Sequence, residues 1–180
     1  KDSLFYLEFF KKLKKYTKNI SLIRVPNKCL FNAMHDYGID YNNIELFPIP
    51  VNNDIFYERE NKRKNEIRKK LGIPKSIFLI GSFQKDGVGW GEGFEPKLIK
   101  GPDLFLKIIQ RLITLNKDHK KNIGVLLTGP SRGYIKKGLE NLKIRYWHKN
   151  CKTLNEIGEM YTAIDSYLIS SRLEGGPKSF

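Results

Sequence analysis

Apolar positions along the chain follow a helical period in some stretches and form short unbroken runs in others. Residues 4–16 place Leu4, Phe5, Leu7, Phe9, Phe10, Leu13 and Tyr16 at helical spacing with lysines between them. A short strand is predicted over Ile20–Val25, then a helix over Asn27–Tyr37 closed by Gly38. Ile44–Pro50 reads as extended chain whose two prolines suit a sheet edge or a linker, and Asn52-Asn53-Asp54 reads as a turn. Beyond this point the pattern becomes regular. Glu58–Leu71 predicts a charged helix stopped by Gly72 and Pro74. Apolar runs at Ser76–Gly81, Ile123–Thr128, Ile144–Trp147 and Ser166–Ser170 predict strands, all but the third as buried ones. Between them lie helices over Pro102–Leu115, Ser131–Leu142 and Leu154–Ala163. The first of these has Pro at its opening position and apolar residues at 104, 105, 108, 109 and 112. This alternation predicts an α/β protein, a parallel sheet with helices on both faces. A domain boundary is placed near residues 50–57, giving domains over 1–52 and 53–180.

Composition narrows the class. With 180 residues and 40% hydrophobic content the chain can bury a core, which argues against disorder. No apolar run approaches the roughly 18 residues of a membrane span. Lys1-Asp2-Ser3 opens directly into a charged stretch without a signal-peptide pattern, so a cytoplasmic location is expected. Cys29 and Cys151 match no metal spacing and read as thiols in a reducing compartment. The net charge of +14, from 33 Lys and Arg against 19 Asp and Glu, favours anionic partners: nucleotide diphosphates, nucleic acid or an anionic membrane face. The Lys11–Lys18 cluster with its Phe face suits peripheral membrane contact or packing on another domain. His35, His119 and His148 are scattered and read as surface groups.

Candidate chemistry concentrates in two places. The first is the connection Gly81–Gly101, which holds six glycines, four of them at alternate positions 87, 89, 91 and 93. Connections this long are usually functional or mobile. This one leaves the carboxyl end of a parallel strand, where ligands bind in doubly wound sheets. Lys85, Lys97 and Lys100 are within reach of a phosphate there, and the helix opening at Gly101-Pro102-Asp103 favours an anion. Neither a dinucleotide Gly-x-Gly-x-x-Gly nor a Walker A motif is present. The alternative is a flexible solvated insertion, against which Trp90 and Phe94 are costly to leave exposed. The second place is Ser170–Phe180, SSRLEGGPKSF, where a strand gives way to a glycine turn and a helix start that presents free N–H groups to an anion.

This last run resembles the donor-sugar motif of family 4 glycosyltransferases, Ser-Arg-x-Glu-Gly with a second Glu eight positions after the first. Here the first is Glu174, and the second would stand at 182, beyond residue 180. Further matches occur in order. They are Gly81 at the first strand's end, Lys100-Gly101-Pro102-Asp103, Thr128-Gly129-Pro130, Glu159-Met160-Tyr161 followed by Asp165, and the linker Ile49–Phe56. The resemblance implies a GT-B architecture of two Rossmann-like domains, with residues 1–52 ending the acceptor domain and 53–180 forming the donor domain. It implies a hexosyltransferase-type enzyme that moves a sugar from a nucleotide-diphosphate sugar with retention of configuration and without a metal or other cofactor. The setting would be glycan, polysaccharide or glycolipid synthesis, with a sugar, lipid or protein acceptor.

By the same resemblance, Lys100 binds the donor diphosphate with Gly81, Ser82 and Gly101. Glu174 contacts the transferred sugar. The run Gly175, Gly176, Pro177 and Lys178 helps hold that sugar through its backbone N–H groups, of which Pro177 itself has none. The family has Arg where this chain has Ser82, and Lys85 is the candidate replacement. Gly129, Arg132 and Arg172 are candidate cleft residues. Because the motif is cut short, this stretch alone is expected to be inactive. Two rival readings are a basic nucleic-acid-binding module and a non-catalytic Rossmann scaffold. The first needs aromatics interleaved with Lys on an open platform. Phe and Tyr fall mostly on core positions here, so no nucleic-acid partner is expected.

Overall fold

The computed structural model of the protein describes residues 2–116, 122–172 and 174. The chain divides between Val51 and Asn52 into two units, and Glu174 groups with the first. In the first unit, α1 (Asp2–Tyr16) leads through a 3-10 turn into β1 (Ile23–Val25), α2 (Lys28–Asp36) and β2 (Ile44–Leu46). β1 and β2 pair in parallel, Ile23 opposite Ile44. The predicted strand start at Ile20 is corrected to Ile23 because Thr17–Asn19 form the 3-10 turn. Asn27 caps α2 by accepting the Leu30 N–H at 2.8 Å rather than joining it. Val25, Met34, Ile39 and Ile44 make the core, with Phe10 and Leu13 of α1 against it. Leu4, Leu7, Phe9 and Tyr16 are exposed, so the apolar face predicted for this helix is only partly buried in the unit.

The second unit opens with α3 (Asn61–Lys70) and alternates β3 (Phe78–Ser82), α4 (Pro102–Leu115), β4 (Ile123–Thr128), α5 (Gly133–Asn141), β5 (Arg145–Lys149), α6 (Leu154–Ala163) and β6 (Ser166–Tyr167). The sheet order is β5-β4-β3-β6 and every pair is parallel. Period-two alternation splits the strands between two cores. Ile80, Val125 and Leu127 meet Phe105 and Ile109 of α4 and Ile135 and Leu139 of α5. Leu79 and Leu126 meet Ile67 of α3 and Met160 and Ala163 of α6. This is the predicted Rossmann-like parallel sheet with helices on both faces. No described helix is long and apolar enough to cross a membrane.

Several predicted boundaries move, each for a long-range reason. The charged helix starts at Asn61 rather than Glu58, because Arg59 leaves the helical path to donate to Gly158 O, Thr162 Oγ1 and Ile55 O. The first strand of this sheet begins at Phe78, not Ser76, and Phe78 is exposed at its open end. α5 begins at Gly133 rather than Ser131, which sits at φ 58°. β5 runs over Arg145–Lys149, one residue later and longer than predicted. Ile108, placed on the buried stripe of α4, is exposed. β6 keeps only two residues and, among the described strands, lies at the sheet edge rather than being buried. After Leu168 donates to Gly81 O, the chain turns away, and Arg172 N–H bonds Ile99 O instead of β3.

Asp165 staples the sheet to α3. Its carboxylate accepts from Lys64 Nζ and Arg68 Nη2, each at 2.6 Å, and from the Leu79 N–H at 2.7 Å. Arg68, itself buried, also donates to Ala163 O and Ile77 O. At the start of α6 a capping box forms, with Thr153 Oγ1 on the Glu156 N–H and Glu156 on the Thr153 N–H. Thr153→Ala is expected to cost about 1 kcal/mol, read as a lower urea midpoint with an unchanged slope.

Candidate functional site

The carboxyl ends of β3, β4 and β6 carry the residues that the sequence singled out. β3 ends at Gly81 and Ser82, and the glycine connection that follows is ordered rather than floppy. Gly87 bridges Pro96, Val88 N–H bonds Glu95 O at 2.9 Å, and Lys97 N–H bonds Asp86 O at 2.8 Å, which makes a narrow hairpin. The start of α5 holds it down. Ser131 Oγ bonds Gly89 O and Gly91 O at 3.1 and 2.9 Å, while the Gly133 and Tyr134 N–H groups bond Glu92 O and Gly93 O. Trp90 and Phe94, for which the sequence predicts cover, are instead 85% and 63% exposed. Order in this hairpin comes from backbone bonds, not from burying its aromatics. Lys85 lies over the Trp90 ring, its Nζ 3.7 Å from the centroid.

Beneath the hairpin is a buried ion pair. Arg132 ends wholly inside the protein, with Nη2 2.8 Å from Ser82 Oγ and 3.1 Å from Asp86 Oδ2. Nη1 donates to Gln84 O and to Thr128 O. The guanidinium thus occupies the space behind Ser82. Burial raises the Asp86 carboxyl from 3.8 to about 6, against the pull of Arg132. Gly129 closes β4 at φ 80°, and its carbonyl accepts from His148 Nε2 at 2.7 Å. His148 is therefore half-buried rather than a surface group, and burial holds its pKa below the usual 6.5. His119 lies outside the described residues.

The tightest packing joins the turn before α4 to the strand end after β6. Leu98–Lys100 form one 3-10 turn, and Gly101 follows at φ 63°. A Cβ on Gly101 would lie 1.8 Å from the Ser170 carbonyl oxygen, so only glycine fits. Arg172 closes the contact from outside. Its guanidinium forks onto Asp103 at 2.8 and 2.6 Å and also donates to Leu98 O. The Arg172 hydrogen bond holds the Asp103 carboxyl down at about 2. Gln84 bridges the same two segments from inside, its Nε2 2.7 Å from Lys100 O and 3.4 Å from Ser170 Oγ. Its Oε1 accepts from Ser171 Oγ at 2.9 Å.

Solved structures share this fold. HepE from Anabaena, solved in complex with UDP-glucose, superposes with a TM-score of 0.62 at 14% identity, over 86% of this chain and 39% of HepE. A glycosyltransferase from Rickettsia africae ESF-5 superposes at 0.63 and 17% identity, over 91% of this chain and 41% of its own. An E. coli structure described as trehalose-6-phosphate bound with UDP-2-fluoro glucose gives 0.52 and 16% identity, over 93% and 45%. The fold is the Rossmann-like one of GT-B glycosyltransferases. The chain spans about two fifths of the length of these structures. No family model matches the chain and no curated protein matches it.

The sequence-derived residues therefore fall into three places. Lys100, Gly101 and Arg172 come together around one contact. Gly81 and Ser82 stand at the end of β3, with Ser82 and Arg132 buried under the hairpin, and Lys85 rides on that hairpin against Trp90. Glu174 groups with the first unit, and Gly175, Gly176, Pro177 and Lys178 lie outside the described residues. Among the described residues, no three His, Cys, Asp or Glu side chains cluster as metal ligands. Sequence reading passed over Gln84, Asp86 and Ser131, whose partners lie up to 87 residues away and leave no local signal.

Two outcomes test this geometry. Gly101→Ala combines left-handed backbone strain with a clash and is expected to lose about 2–4 kcal/mol in urea unfolding. A stability equal to wild type would refute the close contact. The folded state holds the Asp86 proton more tightly than the unfolded chain does, so this group adds stability as pH falls from about 6 toward 3.8 and opposes folding above that window. Between about pH 7 and pH 5, wild type should therefore gain stability relative to Asp86→Asn, compared by urea titration at each pH. A constant difference would show that Asp86 keeps an ordinary carboxyl.

Proposed function

We propose that the chain belongs to a family 4 retaining glycosyltransferase and carries its donor-binding domain over 53–180 with the end of its acceptor domain before it. The reaction moves a hexose-type sugar from a nucleotide-diphosphate sugar to a sugar, lipid or protein acceptor in glycan, polysaccharide or glycolipid synthesis, on the cytoplasmic side. One observation carries this reading. Lys100 stands just before Gly101 and α4, and its turn is locked to the strand end that runs into Ser171-Arg172 at the ligand-facing edge of a parallel sheet. The solved complexes of HepE with UDP-glucose, UDP and glucose support the class of donor.

The chemistry follows from charge. Breaking a sugar–diphosphate bond builds negative charge on the leaving phosphate. Lys100 and the amino end of α4, which no side chain caps from Gly101, supply a cation and a dipole for it without a metal ion. Glu174 accepts hydrogen bonds from hydroxyls of the transferred sugar. It is not assigned as a covalent nucleophile, because that role needs a second carboxylate about 5 Å away. Lys85, steadied by Trp90, is the second cation in reach of the diphosphate.

In the full-length protein, Lys100→Ala should lower turnover about 10²–10³-fold and weaken nucleoside-diphosphate binding in a calorimeter, while exposed Lys97→Ala leaves both near wild type. Glu174→Gln should keep the fold and lose most nucleotide release from a nucleotide-sugar panel. Equal small effects at positions 97 and 100, with unchanged turnover for Glu174→Gln, would overturn the reading.

A further inference from the structure

Resting on that reading, we infer that Gln84 is the positioning residue that sets the diphosphate-binding turn against the sugar-side strand end. Gln84 follows β3 by two residues, so it stands at the sheet's ligand-facing edge. Both ends of its amide are used. The Nε2 group donates to Lys100 O at 2.7 Å and faces Ser170 Oγ at 3.4 Å, and Oε1 accepts from Ser171 Oγ at 2.9 Å. Its backbone carbonyl is held in turn by the buried Arg132 guanidinium. The side chain therefore hangs from a fixed anchor and spans the 3-10 turn carrying Lys100 and the strand end carrying Ser170 and Ser171.

The other contacts between these segments are of a different kind. Gly101 against Ser170 sets how close the backbones come. The Arg172–Asp103 fork closes the outer edge and is partly exposed. Neither bonds the main chain of Lys100. Its carbonyl accepts from Ser170 Oγ only at 3.4 Å and from Gln84 Nε2 at 2.7 Å, and a neutral amide suits the task because one end must donate to a carbonyl while the other accepts from a hydroxyl. A carboxylate of the same shape meets Lys100 O with an acceptor and repels it. A shift of about 1 Å in a group that meets developing charge is enough to cost two orders of magnitude in rate.

The test uses the full-length protein and whichever of UDP, GDP and ADP the wild type binds most tightly. Gln84→Glu should raise the Kd for that nucleotide and the KM for its sugar donor about tenfold, the equivalent of one lost hydrogen bond, with the melting temperature near wild type. Ser171→Ala, which removes only the Oε1 partner, should raise both about threefold. Near pH 5 the ratio of Gln84→Glu to wild type should shrink, because the introduced carboxyl, once protonated, can donate to Lys100 O again. A purely structural loss would reduce the number of binding-competent molecules and leave Kd and KM in place. If Lys100→Ala weakens binding while Gln84→Glu keeps wild-type Kd and KM, this inference falls and the proposed function stands. If the wild type binds none of the three nucleotides, both fall.

Discussion

The absent Cβ at Gly101 is the constraint on which the candidate site turns. With any side chain there, the turn carrying Lys100 would be pushed off the carbonyl of Ser170, and α4 would start from a different place. The close approach also explains why β6 is short. Past Leu168 the strand exchanges its β3 partners for the 98–103 turn, with Arg172 N–H on Ile99 O and its guanidinium on Asp103. Backbone shape sets how near the two segments come, and the Gln84 amide and the Arg172–Asp103 pair set how they are aligned.

A second lock secures the glycine hairpin. Its peptide groups bond Ser131 and the first amides of α5, while the Asp86–Arg132 pair sits below, sealed from solvent. The two locks meet at Gln84, whose carbonyl belongs to the Arg132 cluster and whose amide belongs to the Lys100 contact. A buried guanidinium is tolerable only when it is paired and hydrogen-bonded. Ser82 Oγ, Gln84 O and Thr128 O accept from Arg132 and Asp86 balances its charge, while Arg132 Nε has no hydrogen-bond partner among the described residues.

Much of the fold was legible in the sequence where local and global signals agree. α4, β4 and α6 match their predicted limits: Pro102 opens the first, an unbroken apolar run defines the second, and the Thr153–Glu156 box starts the third. Legibility fails where a distant group decides. Arg59 delays α3 by reaching across to α6, Ser131 gives up its place in α5 to hold the hairpin, and β6 ends early because of Gly101, far back in the chain. The site was readable as two separate runs, Lys100-Gly101-Pro102-Asp103 and Ser170-Ser171-Arg172. What joins them was not, since a lone Gln after a strand carries no periodicity, spacing or charge signal.

The two tryptophans occupy opposite surroundings, and this gives the molecule a built-in optical division of labour. Trp147 packs its ring over Gly124 against the α3–α6 core, whereas Trp90 stands in water at the hairpin tip with an ammonium on one face. Emission from Trp147 lies toward the blue and follows the integrity of the sheet. Emission from Trp90 lies toward the red and follows whatever approaches the hairpin. Changes around the hairpin and loss of the fold thus report through different tryptophans of one unlabelled chain.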